Sequence, residues 1–342
     1  MDDARNNPAV VIDNGSGFTK VGFAGSAEPH SIFQTAIGKR LRSGKETPLD
    51  DLAFVTGDQQ FFSSVSSTYT THFPIKHGIV QDWDSMEQLW QTCFYDKLRC
   101  NPEDHYVLLT EPPLNTPENR EQTAEIMFET FNVPGMSISV QAVLSLAASW
   151  TNEKVTGRAM TGLVVDSGFG ATHCVPVVDG HVISSCIEQI DIGGRDVTAY
   201  IQQLMRERKE PIPHGMGVEV ARAVKERYTY TCPNIEKEFE RFDSNPEKYI
   251  KLYESVHKKT GDSWSCNIEY ERFLAPEAIM NPQIFDPAIK TTLPDMVDAV
   301  IRKCPIDTRR KLYNNIVLSG GNTVFKDFGR RLQRDVKKKV ES

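Results

Sequence analysis

Two stretches of this chain place the same residue types at the same spacing, 153 positions apart. Val10-Val-Ile-Asp13-Asn-Gly15-Ser-Gly17-Phe-Thr19-Lys20 aligns with Leu163-Val-Val-Asp166-Ser-Gly168-Phe-Gly170-Ala-Thr172-His173, and both fit three apolar residues followed by D-x-G-x-G-x-T. A phosphate needs several N–H donors converging at short range. Glycines let the backbone come close without a Cβ and adopt positive φ, so a tight hairpin can turn its amides toward an anion. One such pattern alone is an ordinary hairpin whose aspartate caps the turn. Two copies, each behind an apolar run, predict a pair of hairpins that clamp a polyphosphate. Asp13 and Asp166 then stand near the same phosphates and repel one another unless a cation intervenes, so Mg²⁺ held by carboxylates, waters and phosphate oxygens belongs to the expectation. A third segment, Val317-Leu-Ser-Gly320-Gly321-Asn-Thr323, reads as a strand running into a glycine pair and then a helix. Such a pair brings the backbone close to a ribose and base.

The elements that must hold these groups are legible around them. Residues 8–13, 105–110, 162–166 and 315–319 are apolar runs that end in turn signals, as buried strands do. Met86, Leu89, Trp90, Cys93, Phe94 and Leu98 follow the spacing of one buried helix face, with Asp84 and Glu87 as a capping box ahead of it. Thr116-Pro117 opens a second helix and Val197, Tyr200, Ile201, Leu204 and Met205 mark a third. The order makes an α/β protein. Polar stretches at 40–51, 63–72, 206–217 and 257–265 read as surface loops. A duplicated half-molecule predicts two similar lobes facing each other across a cleft.

Bulk properties narrow the function. With 342 residues the chain is long enough for two domains, and 39% hydrophobic with 25% charged residues is a globular composition. The formal charge of −7 argues against nucleic-acid binding, which leaves a basic footprint. The longest apolar stretch, around 142–150, is too short to span a bilayer, and the first residues lack the regions of a signal peptide, which points to a soluble intracellular protein. Seven scattered cysteines without a C-x-x-C pair read as reduced thiols, mostly in the core. A basic run at 326–339 lies on a helix whose apolar face is Phe325, Phe328, Leu332, Val336 and Val340, and its first reading is a solvated face.

Together the three glycine motifs resemble the superfold shared by actin, hexokinase and Hsp70. The likeness to actins covers the whole chain, through Phe33-Gln-Thr-Ala-Ile37, Pro74-Ile-Lys-His77-Gly78, Leu108-Leu-Thr-Glu-Pro-Pro-Leu-Asn115 and Gln141-Ala-Val-Leu-Ser145. Finer stretches resemble the actin-related branch of the family: Ala147-Ala-Ser-Trp-Thr151, Tyr270-Glu-Arg-Phe-Leu-Ala-Pro-Glu277, Cys304-Pro-Ile-Asp-Thr-Arg309 and Lys326-Asp-Phe-Gly-Arg-Arg-Leu-Gln-Arg-Asp335.

The resemblance implies a two-lobed ATPase fold with duplicated ribonuclease-H-like halves around a nucleotide cleft, residues 1–148 forming the small lobe and 149–342 the large one. It implies ATP or ADP with Mg²⁺. Nucleotide contacts fall to Gly15, Ser16, Gly17, Phe18 and Lys20 in the first hairpin, and to Gly168, Phe169, Gly170 and Ala171 in the second. Lys225 and Glu226 match the residues over ribose and base, with Gly320 and Gly321 completing the pocket. Asp13, Gln141 and Asp166 resemble partners of the metal through water, while Gln141 and His173 occupy the places where actins position the attacking water. Taken alone, Gln141 reads as a helix cap, His173 as structural and Lys225-Glu226 as a solvated pair.

The implied role is that of a nucleating subunit rather than an enzyme, with at most slow hydrolysis. Its implied partners are actin-related protein 2, the other subunits of the branched-filament nucleating complex, actin filaments and nucleation-promoting factors, in the cytoplasm and actin cytoskeleton. A small-molecule kinase on the same superfold needs a carboxylate base and an acceptor pocket, and neither is evident. A filament-forming actin is disfavoured by the finer stretches, and a chaperone needs a substrate-binding domain. Two departures from the family stand out. Its second hairpin normally reads D-S-G-D-G where this chain has Phe169, so an acceptor for a ribose hydroxyl is lost and weakened nucleotide binding is expected. Actin-like proteins also continue beyond the position of Ser342 to finish the large lobe and return to the small one.

Overall fold

The computed structural model describes residues 7–40, 54–56, 69–151, 160–257 and 260–341. The chain divides into two compact units, Met1–Ala148 and Ser149–Ser342. The first unit begins with a meander of β1 (Val10–Asn14), β2 (Phe18–Phe23) and β3 (Ser31–Gln34). Next come the short strands β4 (Ile37–Arg40), β5 (Phe54–Thr56) and β6 (Tyr69–His72), which pair as a small sheet, and a two-residue ribbon of β7 (Ile75–Lys76) and β8 (Ile79–Val80). β9 (Val107–Glu111) and β10 (Met136–Val140) complete the main sheet in the order β10-β9-β1-β2-β3, with β9 parallel to β1. Val10, Ile12, Val21, Val107 and Leu109 are buried in it, as the apolar runs require.

Among the described residues the α-helices of this unit are α1 (Trp83–Gln91), α2 (Pro117–Glu125) and α3 (Gln141–Ala148). All six residues of the expected apolar face of α1 are buried, although from Thr92 to Leu98 the turns widen. The cap, however, is Asp82 rather than the Asp84–Glu87 box, since its carboxylate accepts from the Ser85 amide at 3.1 Å and again from the Ser85 hydroxyl. Thr116 caps α2 ahead of Pro117, accepting from the Asn119 amide at 3.3 Å.

The second unit repeats the plan. Its sheet holds β11 (Gly162–Ser167), β12 (Thr172–Val178), β13 (His181–Val182) and β14 (Glu188–Ile190), with β17 (Ile316–Ser319) parallel to β11; β15 (Lys251–Val256) and β16 (Ser263–Ile268) form a separate ribbon. Among the described residues its α-helices are α4 (Gly194–Glu207), α5 (Gly217–Tyr228), α6 (Ile235–Ser244), α7 (Glu271–Met280), α8 (Leu293–Lys303), α9 (Ile306–Asn314) and α10 (Phe328–Glu341), with a single helical turn at Pro246–Tyr249. Val197, Ile201, Leu204 and Met205 of α4 lie in one core with Leu163 and Val165 of β11.

Several loop expectations are corrected or fall elsewhere. The stretch 41–51 and residues 63–68 and 258–259 lie outside the described residues, while 69–72 and 263–265 are strand. The basic run on α10 is more than a solvated face. Arg331 is mostly buried and donates to both carboxylate oxygens of Glu277, at 3.0 and 3.3 Å, and also pairs with Asp335. Lys339 pairs with Asp295 at 2.6 Å. Phe328, Leu332 and Val336 are buried, whereas Val340 is exposed and Phe325 precedes the helix. All seven cysteines are free thiols, six of them buried.

Candidate functional site

In the first unit the site is built outward from Asp13, next to last in β1. Antiparallel pairing with β2 sets Asp13 opposite Lys20, and the ammonium donates to its carboxylate at 2.6 Å. The other oxygen accepts from the Thr110 hydroxyl on β9 at 2.5 Å and from the Gln141 amide, first residue of α3, at 3.0 Å. Burial alone would raise the Asp13 pKa, but Lys20 and the three hydrogen bonds outweigh it and hold the carboxyl below its ordinary range. The hairpin is closed by the Gly15 amide donating to the Phe18 carbonyl at 3.1 Å. Ser16 uses its hydroxyl oxygen to accept from the Gly78 amide at 2.8 Å, leaving its own O–H as a donor.

The second unit carries the matching hairpin in matching register. Asp166 stands opposite His173 as Asp13 does opposite Lys20, and the Gly168 amide donates to the Ala171 carbonyl at 3.0 Å. The tip carbonyls are then taken up by other elements. Gly168 O accepts from the Gly194 amide at 2.9 Å and from the Asn322 side chain at 2.7 Å. Phe169 O accepts from the Arg195 amide at 2.9 Å. Because a trans peptide is planar, fixing these two carbonyls against the start of α4 turns the N–H groups of Phe169 and Gly170 the opposite way. Gly193 is needed where α4 begins, since a Cβ there would lie 2.4 Å from Phe169 O.

The structure amends several readings of the predicted residues. The hairpin glycines do not have positive φ; only Gly320 among the site glycines does, at +86°. Gly15 and Gly168 spend their amides closing the turns, so donors for an anion are to be sought at the tips, in Ser16 and Gly17 and in Phe169 and Ala171. Gly320 is required by closeness as well as φ, for a Cβ would fall 2.2 Å from Ser167 O and 2.8 Å from the Asp166 carboxylate. Gly321 has nothing within 4 Å of that position. His173 is bound through Nε2 to Gln189 at 2.9 Å; burial lowers its pKa despite the nearby Asp166, which favours neutral imidazole. Gln141 belongs to the first unit and His173 to the second.

Lys225 is no solvated residue. It is largely enclosed, donates to the Gly194 carbonyl at 2.8 Å and sits 5.9 Å from the centre of the Phe169 ring. Glu226 instead is exposed and pairs with Arg222 at 3.0 Å. Sequence reasoning missed Thr110, Gly193-Gly194-Arg195 and the buried Asn322. The glycine pair at 193–194 was a usable signal, being the same device as the pair at 320–321.

Comparison with known proteins adds the lineage. The family model described as Actin matches residues 4–342. A protein of Dictyostelium discoideum called actin-related protein 3 is 52% identical, the match covering 100% of this chain and 82% of that protein. Proteins of the same name from Caenorhabditis elegans and Drosophila melanogaster are each 50% identical, over 98% of this chain and 81% of theirs.

Proposed function

The chain belongs to the actin family, and within it we propose an ATP-binding, actin-related subunit of the complex that nucleates branched actin filaments. The observation that carries the nucleotide part is the duplicated hairpin: two units hold an aspartate and a closing glycine amide at equivalent places in the same register. The similarity to the proteins called actin-related protein 3 supports the rest. On this reading the partners are actin-related protein 2, the remaining subunits, actin filaments and promoting factors, in the cytoplasm. Among the described residues no helix is long and apolar enough to cross a membrane.

The residues fit Mg²⁺ with a nucleotide. Mg²⁺ takes hard oxygen ligands and keeps several waters, binding through few carboxylates plus phosphate oxygens. Asp13 is ionised and already organised by Lys20, Thr110 and Gln141, so it can accept from metal-bound water without rearranging. Asp166 has the close approach of Gly320 beside its carboxylate, where any side chain would intrude. When bound, the ion supplies charge neutralisation at the phosphates. The protein's own part is to place N–H donors at both tips, the Lys20 ammonium near Asp13, and the bare backbone at 320–321. Gln141 and His173 each have one end committed, to Asp13 and to Gln189, which accords with hydrolysis that is slow at most.

Melting the full chain with and without Mg-ATP tests the nucleotide claim. A ligand that binds only the native state at ~100-fold excess over Kd adds about 2.7 kcal/mol, which for units of this size raises Tm by about 5–11 °C. No shift at saturating nucleotide sinks the claim. Sedimentation under actin-polymerising conditions tests the subunit claim: the protein alone is expected to stay in the supernatant. Abundant pelleted filaments would favour a conventional actin instead.

A further inference from the structure

Outside the phosphate hairpins, the most unusual group at the site is the enclosed ammonium of Lys225. It lies on α5, yet its partners belong to two other elements: the carbonyl of Gly194 in the first turn of α4 and the ring face of Phe169 at the hairpin tip. The Arg195 amide, in the same peptide as that carbonyl, donates to Phe169 O, so one peptide of α4 is gripped by the lysine on one side and grips the hairpin on the other, and the Gly194 amide adds a bond to Gly168 O. There is little slack. A Cβ on Gly194 would come within 2.9 Å of the Asn322 carboxamide and 3.2 Å of the lysine nitrogen itself. At position 169 the lysine meets an aromatic face, which attracts a cation far more than a neutral amine.

We propose that Lys225 is a positioning residue, a clasp that holds the second hairpin through Gly194 and Phe169, so that nucleotide affinity follows its protonation state. The proposal rests on the nucleotide-binding reading above. The charged groups facing the lysine are Glu226 and Arg222 on its own helix and Asp196 on α4. Burial outweighs the acids and brings its pKa down to about 8. The sign follows. Below pH 8 the ammonium holds the ring and adds a positive charge beside the tip that is to meet phosphate. Above it the amine keeps at most the bond to Gly194 O and loses the ring. A bound polyphosphate favours the ammonium, so binding takes up a proton when the pH is near or above 8.

Two measurements on the full chain decide it. Mg-ATP affinity measured from pH 6.5 to 9.5 is expected to stay level up to about pH 8 and to fall about tenfold above it, the size of one cation–π contact and one charge. Lys225→Arg, which stays charged, should flatten the profile, and Lys225→Met should be flat and weak throughout. The second measurement needs no nucleotide: amide hydrogen exchange at 167–172 at pH 7. It should quicken about tenfold in Lys225→Met through easier local opening, quicken likewise in Phe169→Leu, and return toward the parent in Lys225→Arg. A parent profile without the fall, a Lys225→Arg profile that keeps it, or unchanged exchange in both Lys225→Met and Phe169→Leu overturns the proposal. If no variant binds ATP at any pH, the nucleotide reading fails, while the exchange comparison still judges the clasp.

Discussion

Gly320→Ala is expected to cost on the order of 4 kcal/mol of stability and to remove nucleotide binding with it. Two penalties coincide there. An L residue at φ +86° carries strain of about 1–3 kcal/mol. The added methyl would also lie 2.2 Å from Ser167 O and 2.4 Å from its carbonyl carbon, so backbone rather than a flexible side chain must give way. Forced repacking of that kind costs another 1–3 kcal/mol, roughly. The movement falls where β11 and β17 run parallel, Asp166 beside Ser319, so it displaces the aspartate of the second hairpin directly. Gly321→Ala is the matched control, having nothing within 4 Å of its Cβ position, and should change stability by less than about 1 kcal/mol. Denaturant midpoints and Mg-ATP titrations on the two variants make the comparison. Equal effects from both would show that crowding at Gly320 is not what distinguishes the pair.

How far the sequence reaches depends on whether a feature is local. The two hairpins are legible because identical spacing along two strands forces identical pairing: Asp13 meets Lys20 and Asp166 meets His173 once each turn is closed over the same number of residues. The buried face of α4 is legible for the same reason, since helical spacing alone aligns Val197, Ile201 and Leu204. The partners of the tip carbonyls are not legible. Arg195 and Asn322 reach Phe169 and Gly168 through the packing of α4 and of the segment after β17, and no spacing rule joins positions so far apart. The same holds for Lys225, which reads as half of an exposed Lys-Glu pair until α5 is packed against α4. Thr110 escaped notice because a threonine ending a strand is ordinary; only the parallel β1–β9 register brings it to Asp13. On α10 the sequence shows six basic residues and the local acids Asp335 and Glu341, but not Glu277 and Asp295, which come from helices well upstream.

Asp13→Asn is expected to lower Mg-ATP affinity by roughly 100- to 200-fold, about 3 kcal/mol, the upper range for a hydrogen-bonded charge lost from a site. Asparagine preserves the shape but offers one carbonyl where three donors now converge on two carboxylate oxygens. Its NH₂ must then face Lys20 or the Thr110–Gln141 pair, donor against donor. The charge that is to meet metal-bound water is gone in either orientation. The loss in folding stability should be smaller, about 1–2 kcal/mol, because the Lys20 side chain is about half exposed and can return to water. Acid separates the two effects. The Asp13 carboxyl titrates below its ordinary 3.8 in the folded protein, so the unfolded chain binds the proton first as pH falls. The stability it contributes is therefore fully present above the unfolded pKa and disappears as pH drops through the folded one. The difference in stability between parent and Asp13→Asn should thus be constant from neutrality to about pH 5 and shrink below about pH 4. Urea midpoints across that range, with Mg-ATP affinity at pH 7, provide the measurement. Unchanged affinity would remove Asp13 from the ion's surroundings, and a stability difference that persists undiminished into strong acid would mean that the carboxylate's charge is not what Lys20, Thr110 and Gln141 hold.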